Sequence, residues 1–265
     1  MQSQLFSPFQ IGQLTLPNRI VIAPMCQYSA QDGMPSDWHL MHLGAMSHSG
    51  AGLLILEATA VEARGRISPL DLGIWSDAHR DALKDLVQRL RQYSSMPLAI
   101  QLAHAGRKAS SAAPWNGGQL LSAEQGGWQT VAPSAIPHYA HDAAPHALTL
   151  DDIQEVRQAF TQGARRALEA GFDSIELHAA HGYLLHQFMS PLSNQRTDQY
   201  GGSLENRLRL TLEIFDDMKQ VLPGNYPLGI RISASDWAEG GWDLDSSLAL
   251  TRELEKRGCA FIHVS

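Results

Sequence analysis

Six short apolar runs recur along this chain, and they limit its fold more than any other feature. They span residues 19–25, 52–58, 98–102, 174–178, 228–232 and 260–264. The runs are nearly continuous rather than alternating, as expected of strands whose two faces are both covered. Between them lie segments with helical periodicity, over 38–48, 76–94, 150–170, 204–222 and 244–257. The second carries Leu83, Leu86, Val87 and Leu90 on one stripe, and the third carries Ile153, Val156, Phe160, Ala164, Ala167 and Leu168. Ser76 and Thr149 are placed as N-caps, and Gly171 and Gly258 as stops. A βα order of this kind predicts a parallel sheet with helices outside it. No repeat, linker or charge block divides the chain, so one domain is expected over residues 1–265.

Hydrophobic residues make up 44% of the chain, enough for a sizeable core. Acidic residues outnumber basic ones by 27 to 20, the wrong sign for a polyanion-binding surface, so no nucleic-acid partner is expected. No apolar run approaches a membrane span. The opening Met1-Gln2-Ser3-Gln4 lacks the charge and apolarity of a secretory leader, so a cytoplasmic location is expected. Cys26 follows the first strand and Cys259 opens the sixth, which puts the two thiols at opposite ends of the sheet and argues against a disulfide.

Two long loops, 106–148 and 182–203, follow the carboxyl ends of the third and fourth strands. That is the end at which α/β barrels carry their sites. Reading the strand ends in order gives Pro24, Met25, Cys26 and Tyr28, then Glu57 and Ala58. Next come Gln101 and His104, then His178, His181 and Tyr183, then Arg231. His178 and His181 have a spacing that zinc sites use, but a third ligand is wanting: Asp198 is remote, and Glu176 is expected to face away from His178. No metal is therefore expected. Two neutral imidazoles side by side instead suit N–H donation to one carbonyl or phenolate oxygen, with Tyr183 placed to deliver a proton. An Arg inside an apolar strand needs a negative partner, either Glu57 or a ligand. Arg231 with Gln101, whose amide offers both O and N, suits the pyrimidine edge of a reduced flavin. Cys26 reads either as a small buried hydrophobe or, with His104 or His181 as base, as a nucleophile. Gly201-Gly202-Ser203 reads as a turn and helix cap, or as an anion site.

Longer strings sharpen this. They are Asn18 to Tyr28 (NRIVIAPMCQY), Gln101 to Lys108 (QLAHAGRK), His178 to Tyr183 (HAAHGY) and Ser190 to Asn194 (SPLSN). On these strings, and on Arg196-Thr197-Asp198 and Tyr200-Gly201-Gly202-Ser203, the chain resembles the bacterial subgroup of the Old Yellow Enzymes from about Leu5 onward. These are FMN-dependent ene-reductases on a TIM (β/α)8 barrel. The resemblance implies that NADPH reduces FMN, and that hydride then passes to the β-carbon of an enone, enal or related electron-poor alkene. It gives Pro24, Met25 and Ala58 backbone contacts to the flavin ring, and Gln101 and Arg231 its pyrimidine edge. Cys26 tunes the flavin, His178 and His181 with Tyr28 hold the substrate oxygen, and Tyr183 gives the proton. Loop 106–148 is the substrate-side loop, and family members are often homo-oligomers. Counting strands against that fold gives six of eight. The expectation is thus an open barrel, C-terminally truncated and without the loops that bind the FMN phosphate in the family; the competing reading is a non-catalytic fragment lacking that site.

Overall fold

In the computed structural model, which describes residues 3–265, the six runs form one parallel sheet. Its strands are β1 (Val21–Ile22), β2 (Leu53–Ala60), β3 (Leu98–Ala103), β4 (Ser174–Ala179), β5 (Leu228–Ile232) and β6 (Ile262–Val264). Each pairs with its sequence neighbour, so the spatial order is the chain order. The outer face is covered by α1 (Asp37–Ser47), α2 (Asp77–Arg91), α3 (Leu150–Ala170), α5 (Leu204–Val221) and α6 (Leu244–Lys256). A six-residue helix, α4 (Leu184–Met189), sits in the loop after β4. No helix among the described residues is long and apolar enough to cross a membrane.

The two-residue repeat of the strands separates two cores. Leu54, Leu56, Ile100, Leu102, Ile175, Leu177, Ile230 and Ile232 pack outward against the helices. Leu53, Ile55 and Ala99 point inward, where an antiparallel hairpin (Phe9–Ile11 with Leu14–Leu16) closes the amino-terminal end with Ile11 and Leu16. The lower interior is therefore an apolar plug, and polar side chains begin one layer above it. Between them, Gly229 on β5 admits the Phe261 ring: an added Cβ would lie 2.4 Å from its atoms.

Strand one is shorter than the sequence suggests, two residues rather than seven. Pro24 cannot donate to a ladder, which ends pairing there. Thr149 caps α3 through a reciprocal pair with Asp152, and Gly171 (φ +94°) ends it. Ser76 precedes α2 as expected but makes no backbone cap; its hydroxyl bonds His79 Nδ1 at 2.6 Å. Ser203 caps α5 through Asn206 N, so Gly201–Ser203 serve as turn and cap.

Loop 106–148 is ordered by polar ties rather than by a core of its own. Ser110 Oγ accepts from Trp128 N at 2.8 Å, and Trp128 Nε1 donates to Arg64 O at 2.9 Å. Arg107 Nη1 donates to the carbonyls of Ile136 and Pro137, and Arg196 Nη1 to that of Pro133. The loop thereby lies over the carboxyl end of the sheet.

Gly229→Ala should destabilise the chain by about 1–3 kcal/mol in urea unfolding, through its collision with Phe261. Adding Phe261→Ala should cancel much of that collision, leaving the pair clearly non-additive. Strict additivity would show that the ring and the glycine are independent.

Candidate active site

Above the apolar plug, the inward positions of the middle strands are polar. Gln101 on β3 stands in register with Glu176 on β4, and His178 on β4 with Arg231 on β5. His263 on β6 is in register with Arg231. On β2 the register shifts between Leu56 and Ala58, leaving Glu57 as an extra residue. This bulge pairs Ala58 with Gln101. Bulges re-aim side chains in this way. Glu57 is then free to reach the β1 side. It accepts from Gln27 N at 2.8 Å and lies 3.1 Å from His39 Nε2 of α1. Glu57 thus holds the Cys26–Tyr28 segment, in which Tyr28 has φ +49°.

Two sequence-based expectations are corrected here. Glu57 does not pair with Arg231, because the bulge turns it toward His39. Glu176 does not face away from His178. The two are two positions apart on one strand, with Leu177 between them, and share the inner face, where Glu176 meets Gln101 and His263.

Arg231 has no carboxylate partner among the described residues. Its Nη2 lies 3.4 Å from Ser265 Oγ, and its buried Nε has no hydrogen-bond partner. A guanidinium held in a sheet interior without an anion is costly unless a ligand supplies one.

His178, His181 and Tyr183 come together at the carboxyl end of β4. The two imidazole centroids are 5.1 Å apart, and the Tyr183 ring is 5.0 Å from that of His178. His178 Nδ1 accepts from Ala180 N at 3.2 Å, so the ring proton resides on Nε2. Burial, with His181 and Arg231 nearby, pushes His178 well below its usual range. Burial and then Arg231 and Lys108 push His181 down to about 4. At neutral pH both rings are uncharged N–H donors. His181 sits at φ +59°, a strained backbone of the kind that clusters at functional sites. Its Nε2 lies 2.7 Å from Ser265 Oγ.

Burial pushes the Tyr183 phenol upward, with Cys26 and Tyr28 adding to the effect. Lys108 caps this corner: its ammonium donates to His181 O at 2.9 Å and lies 4.9 Å from the Tyr183 ring centroid. Tyr28, pushed up to about 12 mainly by burial, packs edge-on to Trp115 of the long loop, centroids 5.5 Å apart.

The Cys26 thiol is raised well above its usual value by burial, then by Asp71 and Glu57. It stays a thiol, and neither candidate base is available to it. His104 is committed to Glu62 at 3.0 Å, with its Nδ1 accepting from Gly106 N. Met25 is exposed and Pro24 and Ala58 are buried, all three beside the same mouth. Cys259 opens the far end, where its Sγ contacts Phe261 O. Among the described residues no three His, Cys, Asp or Glu side chains cluster closely enough to hold a metal. A groove of about 790 Å3 runs between α5 and α6 on the outer face, away from all of these groups.

Sequence reasoning assigned no individual role to Lys108, Asp71, Trp115 or His263, although Lys108 and Trp115 lie in the loop assigned to the substrate side. His263 also had a signal, since it occupies an inward strand position opposite Arg231.

Three comparisons bear on the chain. Residues 4–264 match the model of the NADH:flavin oxidoreductase / NADH oxidase family. An NADPH dehydrogenase of Geobacillus is 46% identical over 267 residues, covering 100% of this chain and 73% of the relative. Morphinone reductase, solved in complex with tetrahydroNAD, superposes with a TM-score of 0.83 at 33% identity, over 99% of this chain and 74% of that one. An old yellow enzyme homologue from Zymomonas mobilis gives 0.82 at 30% identity, over 99% and 73%.

Asp71 is a buried acid that acts on Cys26, and its protonation can be tested through pH. Burial raises its carboxyl to about 7, against the pull of two Ser68 hydrogen bonds. Between its unfolded value near 3.8 and about 7 the folded chain holds a proton that the unfolded chain releases, so this group's contribution falls as pH rises. Asp71→Asn should therefore raise the melting temperature by roughly 2–8 °C at pH 8 and by much less at pH 5. A difference independent of pH would show that Asp71 is not buried as a neutral acid.

Proposed function

The chain belongs to the NADH:flavin oxidoreductase / NADH oxidase family, and from this premise we propose that it reduces the C=C bond of α,β-unsaturated carbonyl compounds. It is a flavin-dependent oxidoreductase whose cofactor is FMN and whose reductant is NADPH. The FMN, when bound, supplies the hydride chemistry that no side chain here can perform.

The observation that carries the reading is the Arg231 guanidinium on the inner face, which among the described residues has no carboxylate partner and an unpartnered Nε. An anion-stabilising edge is what this position requires. Gln101, two strands away and one inward layer lower, presents a planar amide on the same face. Together they fit the pyrimidine edge of FMN, and one correction applies: one Gln101 N–H is already given to Glu176 at 2.7 Å. Backbone at Pro24, Met25 and Ala58 would line the ring. Cys26, a neutral thiol beside it, would tune the cofactor and not attack substrate.

Substrate chemistry falls to the β4 end. The Nε2–H of neutral His178 donates to the carbonyl oxygen, with His181 and Tyr28 completing the set. His181 must exchange its Ser265 contact for the substrate to do so. Donation withdraws electron density and makes the β-carbon electrophilic. Charge then developing on oxygen and the α-carbon is met by fixed dipoles, which need no reorganisation. Tyr183 stays protonated at every physiological pH, because burial raises it. It releases its proton only to a strongly basic centre, as the α-carbon becomes when the β-carbon accepts hydride. The saturated carbonyl compound and the tyrosinate result, and solvent restores the phenol. Loop 106–148 shapes the pocket, with Trp115 against Tyr28.

The test is to load the chain with FMN and add NADPH anaerobically, followed by 2-cyclohexenone. Bleaching by NADPH and recovery with the enone are expected. Tyr183→Phe should slow the recovery phase by roughly a hundredfold and leave the bleaching phase unchanged. Equal slowing of both phases would remove Tyr183 from proton delivery, and bleaching without recovery would reject the enone class.

A further inference from the structure

We infer that Glu176 is a positioning residue, fixing the hydrogen-bond polarity of both Gln101 and His263 where they face the flavin site. The inference rests on the flavin reading above and adds a residue to it. Glu176 is fully buried at the centre of β4. It is the only carboxylate on the inner face of β3 to β6. Its two oxygens have different partners. Oε1 accepts from Gln101 Nε2 at 2.7 Å, and Oε2 from His263 Nδ1 at 2.9 Å. No Lys or Arg pairs with it among the described residues.

A carboxylate in this arrangement only accepts. Gln101 must therefore turn its NH2 toward β4, which sends its amide oxygen away from β4 as an acceptor for the ligand. His263 must carry a proton on Nδ1, which leaves Nε2 to face the site beside Arg231. One buried group thus settles two assignments that would otherwise be free: an amide flip and an imidazole tautomer. The neighbour of Glu176 on β5 is Gly229, so no side chain on that strand competes for the carboxylate.

Replacing the acid by its amide separates this role from simple packing. Glu176→Gln keeps the volume, but its NH2 can donate to only one side. It can satisfy Gln101 through its oxygen only by presenting N–H to His263 Nδ1. His263 then has to shift its proton to Nε2, an acceptor becoming a donor on the ligand side.

The experiment uses the 265-residue chain labelled with 15N-histidine, without cofactor, and reads the ring nitrogens by NMR. His263→Gln identifies the signals. The wild type should show His263 as the Nδ1–H form, and Glu176→Gln should show loss of that form at an unchanged far-UV spectrum. In parallel, quenching titrations should show FMN binding about tenfold weaker in Glu176→Gln. Unchanged ring-nitrogen shifts would overturn the inference, as would equal FMN affinity in the two proteins. A wild type that takes up no FMN would contradict the flavin reading instead, and the tautomer result would then decide Glu176 alone.

Discussion

Everything at the mouth of this sheet depends on the alternation of a parallel strand, which sends every second residue inward. In β2 and β3 the lower inward positions, Leu53, Ile55 and Ala99, are apolar and meet the hairpin at Ile11 and Leu16. The next layer carries Gln101 and Glu176, and the one above it His178 and Arg231. The plug excludes water from below. The polar groups can therefore act in a medium where each hydrogen bond counts for more, and where each unpaired charge costs more. The bulge at Glu57 is the one break in this alternation, and it connects the interior to the segment holding Cys26 and Tyr28.

Charge is distributed to suit that layering. On the β4–β5 side, Arg231 and Lys108 make protonation of His178 and His181 unfavourable, beyond the effect of burial. The imidazoles remain neutral and can donate without carrying a counter-ion. On the β1–β2 side, burial above all, and then the nearby carboxyl groups of Asp71 and Glu57, keep the Cys26 thiol and the Tyr28 phenol protonated. One wall thus favours negative charge on a ligand, while the other keeps its own side chains uncharged. That division suits a site in which charge develops on the ligand and not on the protein.

The helices and five of the six strands were legible because burial on a fixed face writes a period into the sequence. α3 runs over the residues its stripe and caps predict, 150–170. α4 left no such trace: all six of its residues are buried, so it has no polar face to mark the period. The site residues were legible where they sit at strand ends or in long motif strings, as His178, His181 and Tyr183 do. Asp71 was not, since its burial arises from tertiary packing of an irregular loop. Glu57 and Glu176 were misread for the same reason in two forms. A bulge shifted one out of register, and the other was set on the wrong face although its spacing from His178 gave the right one. The barrel was anticipated as six strands, and the sheet has six.

Arg231, without a carboxylate partner among the described residues, is held to receive the flavin edge. The most direct test of this role is the FMN dissociation constant of the wild type against Arg231→Leu, read by fluorescence quenching beside a urea unfolding curve. A half-buried guanidinium with no anionic partner adds little to stability. Arg231→Leu should therefore bind FMN at least tenfold more weakly, equivalent to about 1.4 kcal/mol, with folding stability equal to or above that of the wild type. Unchanged affinity together with lost stability would contradict this role, and would make Arg231 a structural residue.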